Sequence, residues 1–234
     1  MRAERLSTIG KMSALLAHQI RTPLVSIGGF ARRLMREIPP EDHRREEMEV
    51  IYSEVGNLEK LVGEVLGYSK TSGAERKSIN ANMLILSIIT SMKEEIEKRS
   101  INTVLNFSPD IPEVEVNEPQ LRQALMNLVT NAIDSMPSGG KLTFDTIVDG
   151  NYIEIGVSDT GTGIKQEHWN KLFTPFFTTK ARGTGLGLAI VSQVVDDHNG
   201  SLRFESTPGQ GTTFFVRLAV RPDENPMARR SPSL

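Results

Sequence analysis

Two apolar stripes, separated by a pair of prolines, leave the first third of this chain few ways to fold. From Leu6, apolar residues recur at Ile9, Leu16, Ile20, Leu24, Ile27, Ala31, Leu34 and Ile38, and only Ser13 interrupts the alternation of three and four. That spacing paints one stripe down a helix, predicted to run from about Arg5 to Ile38 and to stop at Pro39-Pro40. A second helix is predicted from near Glu41, with its own stripe at Met48, Ile51, Val55, Leu58, Val62 and Val65. Helices of about thirty residues with a single apolar face are not stable alone in water. Two joined by a short turn make a hairpin, and two hairpins pair into a four-helix bundle. A homodimer is therefore expected, with residues 1–72 as the dimerisation domain. On spacing alone, a plain coiled-coil spacer would fit as well.

One histidine stands off the first stripe. At 100° per residue, His18 lies about 200° from Leu16, and Thr22, one turn on, shares its face. Pro23 cannot donate a backbone hydrogen bond and crowds the carbonyl of Gln19, so a bend is expected beside the histidine. An outward imidazole next to a bend is placed for chemistry, although an isolated histidine there could equally be a solvated surface residue.

Composition removes several classes. There are no cysteines, so disulfides, thiol catalysis and zinc–thiolate sites are excluded. The formal net charge is −2 with no long basic run, which gives no reason to expect nucleic acid or anionic lipid. The longest apolar stretch, near Met83–Ile89, is far short of the roughly 18–20 residues of a membrane span. Met1–Arg5 lacks a signal-peptide core, and the chain reads as cytoplasmic in character.

Residues 73–79 have no periodicity and read as a linker. Beyond it the texture mixes helix and strand through residues 80–220. Helices are predicted at Ala81–Lys98, Glu118–Met136 and from the glycine-rich Gly161–Gly187 region to about His198. Strands are predicted at Asn102–Phe107, Glu113–Val116, Lys141–Val148, Tyr152–Ser158, Leu202–Ser206 and Thr212–Leu218. Hairpin-paired strands with helices beside them suggest an α+β sandwich with its helices on one face. Residues 221–234, rich in proline, serine and charge, read as a disordered tail.

Three patterns in this second region could carry chemistry. Asn127, Asn131 and Asp134 form a polar row on the helix Glu118–Met136. They could be mere surface, or their oxygens could face Mg²⁺ and phosphate. Asp159 follows a strand and precedes Gly161 and Gly163. This is either a capped glycine turn or a carboxylate poised to accept a hydrogen bond from an amine such as that of adenine. Finally, Phe173, Phe176 and Phe177 suggest a lid packed by aromatics, and Lys180 offers charge to a phosphate. Gly183-Thr184-Gly185-Leu186-Gly187 then exposes backbone N–H groups where a helix begins, an anion-binding arrangement. Neither the P-loop nor the dinucleotide-fold glycine pattern occurs in the required setting.

Taken together, these stretches resemble a known family. Ala17-His18-Gln19-Ile20-Arg21-Thr22-Pro23-Leu24 resembles the H-box of bacterial two-component sensor histidine kinases. The downstream motifs resemble the N, G1, F and G2 boxes of their GHKL-type catalytic domain, and Gly209-Gln210-Gly211-Thr212-Thr213-Phe214 is similar to its last glycine motif. The resemblance implies a helical-hairpin domain forming a dimeric four-helix bundle, followed by an α+β Bergerat-type ATP-binding sandwich. It implies ATP with Asp159 on adenine, Asn131 on Mg²⁺, Asn127 nearby, and Lys180 with the Gly183–Gly187 backbone on the phosphates. It implies that His18 is phosphorylated and donates to an aspartate of a response-regulator receiver domain in trans, and that Thr22 positions the water that dephosphorylates that regulator. Two departures stand out. Gln19 replaces the usual Glu or Asp, and His198-Asn199-Gly200 replaces His-Gly-Gly, which is neutral because asparagine tolerates the left-handed conformation.

The expected function is thus an ATP-dependent protein-histidine kinase. Leu6–Ala17 reads as the continuation of an upstream helix, so the chain would be the cytoplasmic output half of a larger receptor whose sensor domain lies elsewhere. The alternative is a phosphatase-biased or catalytically silent ATP-binding scaffold. A GHKL ATPase of the chaperone or mismatch-repair type would lack the His18 box.

Overall fold

The computed structural model describes residue 20 and residues 23–39, 41–69, 75–180 and 183–220, with side chains for all of these but 57 and 59–69. His18, Gln19 and Thr22, the expected bend before Pro23 and the tail 221–234 lie outside the described residues. The chain divides into two compact units, Met1–Ser72 and Gly73–Leu234.

In the first unit, α1 (residues 23–37) ends just before Pro39, whose ring stops helix propagation, and α2 (Arg44–Ser69) follows. Arg45 closes the turn. Its guanidinium donates to the carbonyls of Met35 (3.0 Å) and Ile38 (3.3 Å), which the end of α1 leaves without helical partners. Leu24, Ala31 and Val55 are buried. A Cβ on Gly28 would stand 3.0 Å from Val55, so α1 and α2 approach closely there. The apolar stripe is split in two by this packing. Leu24 (6% exposed) and Ala31 (3%) are covered, whereas Ile20 (47%), Ile27 (47%) and Leu34 (43%) are not. On α2, Ile51 and Leu58 are exposed on either side of buried Val55.

The second unit begins with β1 (Lys77–Ile79), a strand within the segment expected to be a linker. It pairs antiparallel with β3 (Val114–Val116). The helix predicted over Ala81–Lys98 is two, α3 (Ala81–Ser91) and α4 (Lys93–Lys98), broken at Met92. Ser87, Thr90 and Ser91 donate their hydroxyls back to the carbonyls of Leu84, Leu86 and Ile88. Such back-bonding competes with the helical ladder and bends it. Then come β2 (Ile101–Asn106), α5 (Glu118–Ser135), β4 (Gly140–Asp149), β5 (Tyr152–Asp159), a 3₁₀ turn (Gln166–Lys171), α6 (Gly187–Asp197), β6 (Ser201–Thr207) and β7 (Gly211–Ala219).

The five-stranded sheet has the order β2-β4-β5-β7-β6. Two neighbours are hairpins, as expected, but β2 runs parallel to β4, with α5 in the connection between them. Alternation sets the layers. Leu142, Phe144, Ile153, Ile155, Val157, Phe214, Val216 and Leu218 are buried, and the intervening Thr143, Asp145, Ser158, Thr213 and Arg217 are partly exposed on the other face. Leu121, Leu125 and Leu128 of α5 and Ile190, Val191 and Val194 of α6 complete that core, so the helices lie on one face of the sheet.

Both helices that matter below are fixed at their ends. Asn117 caps α5 by accepting the N–H of Gln120 (3.2 Å), and its own N–H donates to Nε2 of buried His198 (2.9 Å) at the end of α6. Nδ1 of His198 stands 2.7 Å from the carbonyl of Val194, so the neutral ring carries its proton there. Burial holds the His198 pKa below its ordinary value. Asn199 takes the left-handed conformation, φ +53°, as its tolerance predicts.

Candidate nucleotide site

One corner of the site is built on the polar row of α5. Asn127 donates its amide to the carbonyl of Gly187 (3.2 Å), the first residue of α6. One turn on, Asn131 Oδ1 and Asp134 Oδ2 both accept from the ammonium of Lys180, at 3.1 and 2.9 Å. The row therefore faces the glycine run, and Lys180 bridges the lid segment to α5. An amide oxygen and a carboxylate holding a cation in common are the hard oxygen donors that suit a magnesium ion.

The glycine run is shaped by local bonds. Gly183 N–H donates to the carbonyl of Lys180 (3.2 Å), Leu186 N–H to the hydroxyl of Thr184 (3.2 Å) and Phe176 N–H to the carbonyl of Gly185 (3.0 Å). Gly185 sits at φ +70°, against the backbone of Phe176 and Phe177, where a side chain would be both strained and crowded. The three aromatics do not act alike. Phe173 packs edge-on against Phe204 (6.0 Å) and Phe177 lies beside His168 (5.6 Å), but Phe176 is 72% exposed at φ +67°. Two of the three thus lie against aromatic rings.

The second corner is Asp159, at the end of β5 and 7% exposed. Its Oδ1 accepts from the hydroxyl of Ser135 (2.9 Å) and from the N–H of Gly161 (2.8 Å). Burial raises its pKa above the ordinary carboxylate value. The Gly161 amide, the Ser135 hydroxyl, the Thr212 amide and the charge of Lys180 pull the other way. Gly161 has no room for a side chain, because a Cβ would overlap Ser135. Thr162 N–H donates to the carbonyl of Ser135 (3.1 Å), and Gly163 turns at φ +65° against the backbone of Thr207 and Pro208.

The structure thus gathers Asn127, Asn131, Asp134, Lys180 and Gly187 at one corner, with Asp159, Gly161 and Gly163 joined to the same helix through Ser135. Ser135 escapes a motif reading, and the motif that contains His198 gives no hint of its bond to Asn117. The signal for Ser135 was present, since it continues the Asn127–Asn131 row by four more residues.

The fold is that of the GHKL type, and comparison with known proteins agrees. Residues 116–222 match the family described as Histidine kinase-, DNA gyrase B-, and HSP90-like ATPase. Residues 8–73 match the His Kinase A (phospho-acceptor) domain. The sensor histidine kinase ZraS of Escherichia coli (strain K12) is 33% identical over 219 residues, which cover 94% of this chain and 47% of that protein. Among solved structures, full-length ShkA in complex with AMPPNP superposes with a TM-score of 0.74 at 26% identity, covering 89% of this chain and 45% of that one. Histidine kinase ThkA in complex with the response regulator protein TrrA gives a TM-score of 0.70 at 31% identity, covering 96% and 66%. The chain belongs to the two-component sensor histidine kinases. It spans about half the length of the curated relatives it matches.

Proposed function

We propose that the chain is an ATP-dependent protein-histidine kinase. One ring nitrogen of His18 bonds to the γ-phosphorus of ATP as the bond to ADP breaks, and the phosphoryl group then passes to an aspartate of a separate response regulator. The observation that carries this reading is the α5 corner, where Asn131 and Asp134 already hold the ammonium of Lys180 beside the glycine run that opens α6. In the nucleotide-bound protein, Asn131 would hold Mg²⁺, which supplies charge neutralisation of the phosphates. Lys180 and the backbone N–H groups around Gly183–Gly187 bind and orient the phosphate chain. Asp159 accepts from the adenine amine, and the absence of side chains at Gly161 and Gly163 lets the ring come close.

The uncovered half of the α1 stripe supports a homodimer, with Ile20, Ile27 and Leu34 of one protomer against those of its partner. ThkA, solved with its response regulator, supports an acceptor in trans, and the longer relatives support a sensor region outside this sequence. Thr22, one turn from His18, would position water for dephosphorylation of the regulator. Gln19 favours a second reading, phosphatase-biased or silent, because it brings no charge to the histidine.

Incubating the full chain with γ-labelled ATP and Mg²⁺ decides between the two. Acid-labile, alkali-stable label that disappears in His18→Gln is expected. A folded dimer that binds ATP without labelling would establish the silent scaffold.

A further inference from the structure

Ser135 is the last residue of α5 and does three things at once. Its hydroxyl lies 2.9 Å from Asp159 Oδ1, its carbonyl accepts the Thr162 N–H at 3.1 Å, and its side chain fills the space that a Cβ on Gly161 would need. It also stands four residues beyond Asn131 and eight beyond Asn127, so the row reaching the α6 corner ends on the carboxylate at the other corner.

A serine in the last turn of a helix commonly donates to a carbonyl three residues back, and Ser135 Oγ is indeed 2.7 Å from the carbonyl of Ala132. A hydroxyl has one proton, so the two acceptors compete. If the proton lay toward Ala132, a hydroxyl lone pair would face the ionised Asp159 across 2.9 Å in a buried setting. With Asp159 ionised, donation to the carboxylate is the stronger, charge-assisted bond. Together with the Gly161 N–H on the same oxygen, that bond fixes the rotation of the carboxylate.

We propose that Ser135 is a positioning residue of the nucleotide site, whose hydroxyl orients Asp159 so that the site selects the exocyclic amine of adenine. This rests on the reading of Asp159 as the adenine anchor. A hydrogen bond of this kind does not act on the phosphates, so its loss should be felt by the base alone.

Calorimetric titration of the full chain with ADP and with purine riboside diphosphate, which lacks the 6-amino group, tests it. Wild type should prefer ADP. Ser135→Ala should weaken ADP about 10-fold, as expected for losing a charge-assisted bond, and the amine-free analogue by no more than about 2-fold. Ser135→Cys keeps the shape but offers only a weak donor, so it should behave like alanine if the hydroxyl matters. Should Ser135→Ala not fold, the cysteine variant carries the test. An equal loss for both nucleotides, or a cysteine variant that binds as wild type does, overturns the proposal and leaves Ser135 a packing residue. Asp159→Asn separates the two layers. If it leaves the preference for ADP intact, the adenine-anchor reading fails. If it abolishes the preference while Ser135→Ala does not, only the role of Ser135 fails.

Discussion

In the hairpin, alternate members of one apolar stripe have different fates: Leu24 and Ala31 are buried, while Ile20, Ile27 and Leu34 remain open. In the sandwich the corresponding residues are all covered within one chain. Leu121, Leu125 and Leu128 of α5 and Ile153, Ile155 and Val216 of the sheet are at most 1% exposed. The second unit has a layered core of its own, and two layers around one core are what an independent domain requires. Among its described residues, the first covers only part of one stripe. Burying an isoleucine or leucine contributes about 1.5–3 kcal/mol, and a hairpin that leaves a row of them in water forgoes that much at each position. Among the described residues, the second unit has a closed core and the first leaves one apolar row open.

The largest effect should come from attacking the open row of the hairpin. Ile27→Asp places a charge in the open stripe, where a two-fold dimer would bring it against its own copy. Dimer dissociation should strengthen on the order of 100-fold or more, read by light scattering against concentration. ADP affinity of the second unit should not change. A dimer as tight as wild type would mean that the open row is not the interface.

A smaller loss is expected from the second unit. Asp159→Asn should weaken ATP binding about 10- to 100-fold by calorimetry, the effect of one buried hydrogen bond to a charged acceptor. Its effect on stability has the opposite sign. Burial raises the Asp159 pKa above the ordinary value. The folded chain therefore binds that proton more tightly than the unfolded chain does, and stability falls as pH rises through the folded value. Above the folded value the cost is present in full, and asparagine removes it while keeping an acceptor for Ser135 and Gly161. The melting temperature should hold or rise. For the same reason, ATP affinity in wild type should begin to fall, on acidification, at a higher pH than an ordinary aspartate would give.

What could be read in the sequence divides along the same line. The described part of the stripes and the hairpin they form were legible, because a period of 3.6 residues is a local signal. Which stripe residues α2 would cover was not, since that depends on the rotation of one helix against the other. In the second unit, Asp159 and the α5 row were legible from spacing and glycines. The strand Lys77–Ile79 was not, because three residues carry no period and their partner, Val114–Val116, lies far along the chain. The break at Met92 also escaped. It depends on which hydroxyls bond back to the helix, and the apolar pattern runs straight through it. The bonds of Lys180 to Asn131 and Asp134 are stated by no motif, since they join side chains about fifty residues apart.

A change of several-fold should come from Gln19. For one nitrogen of His18 to attack phosphorus, the proton must sit on the other. A neighbouring carboxylate accepts that N–H and stabilises the imidazolium that develops; the amide of Gln19 can do only the first. An exposed charge pair is worth about 0.2–1 kcal/mol, so Gln19→Glu should speed single-turnover labelling at saturating ATP by up to about 5-fold. Gln19→Ala should slow it. Equal rates for all three would show that position 19 does not tune the nucleophile.

The smallest effect tests which surfaces of the hairpin a partner covers. Gly28 and Gly29 are adjacent on α1, and each should cost the helix about 1 kcal/mol relative to alanine. A Cβ on Gly28 would press on Val55 at 3.0 Å, so Gly28→Ala sets a gain in helix propensity against overpacking between α1 and α2. A Cβ on Gly29 would meet nothing within 4 Å. If Gly29 faces water in the dimer, Gly29→Ala should stabilise residues 1–72 by about 0.5–1 kcal/mol per protomer, read as a rise in denaturation midpoint with an unchanged slope. In the proposed dimer the open row is Ile20, Ile27 and Leu34. Gly29 lies 200° from Ile27 around the helix at 100° per residue, so water is its expected neighbour. A loss of stability in Gly29→Ala, accompanied by a weaker dimer, would place the contact between protomers on the opposite side of α1 and overturn the assignment of the open row as the interface.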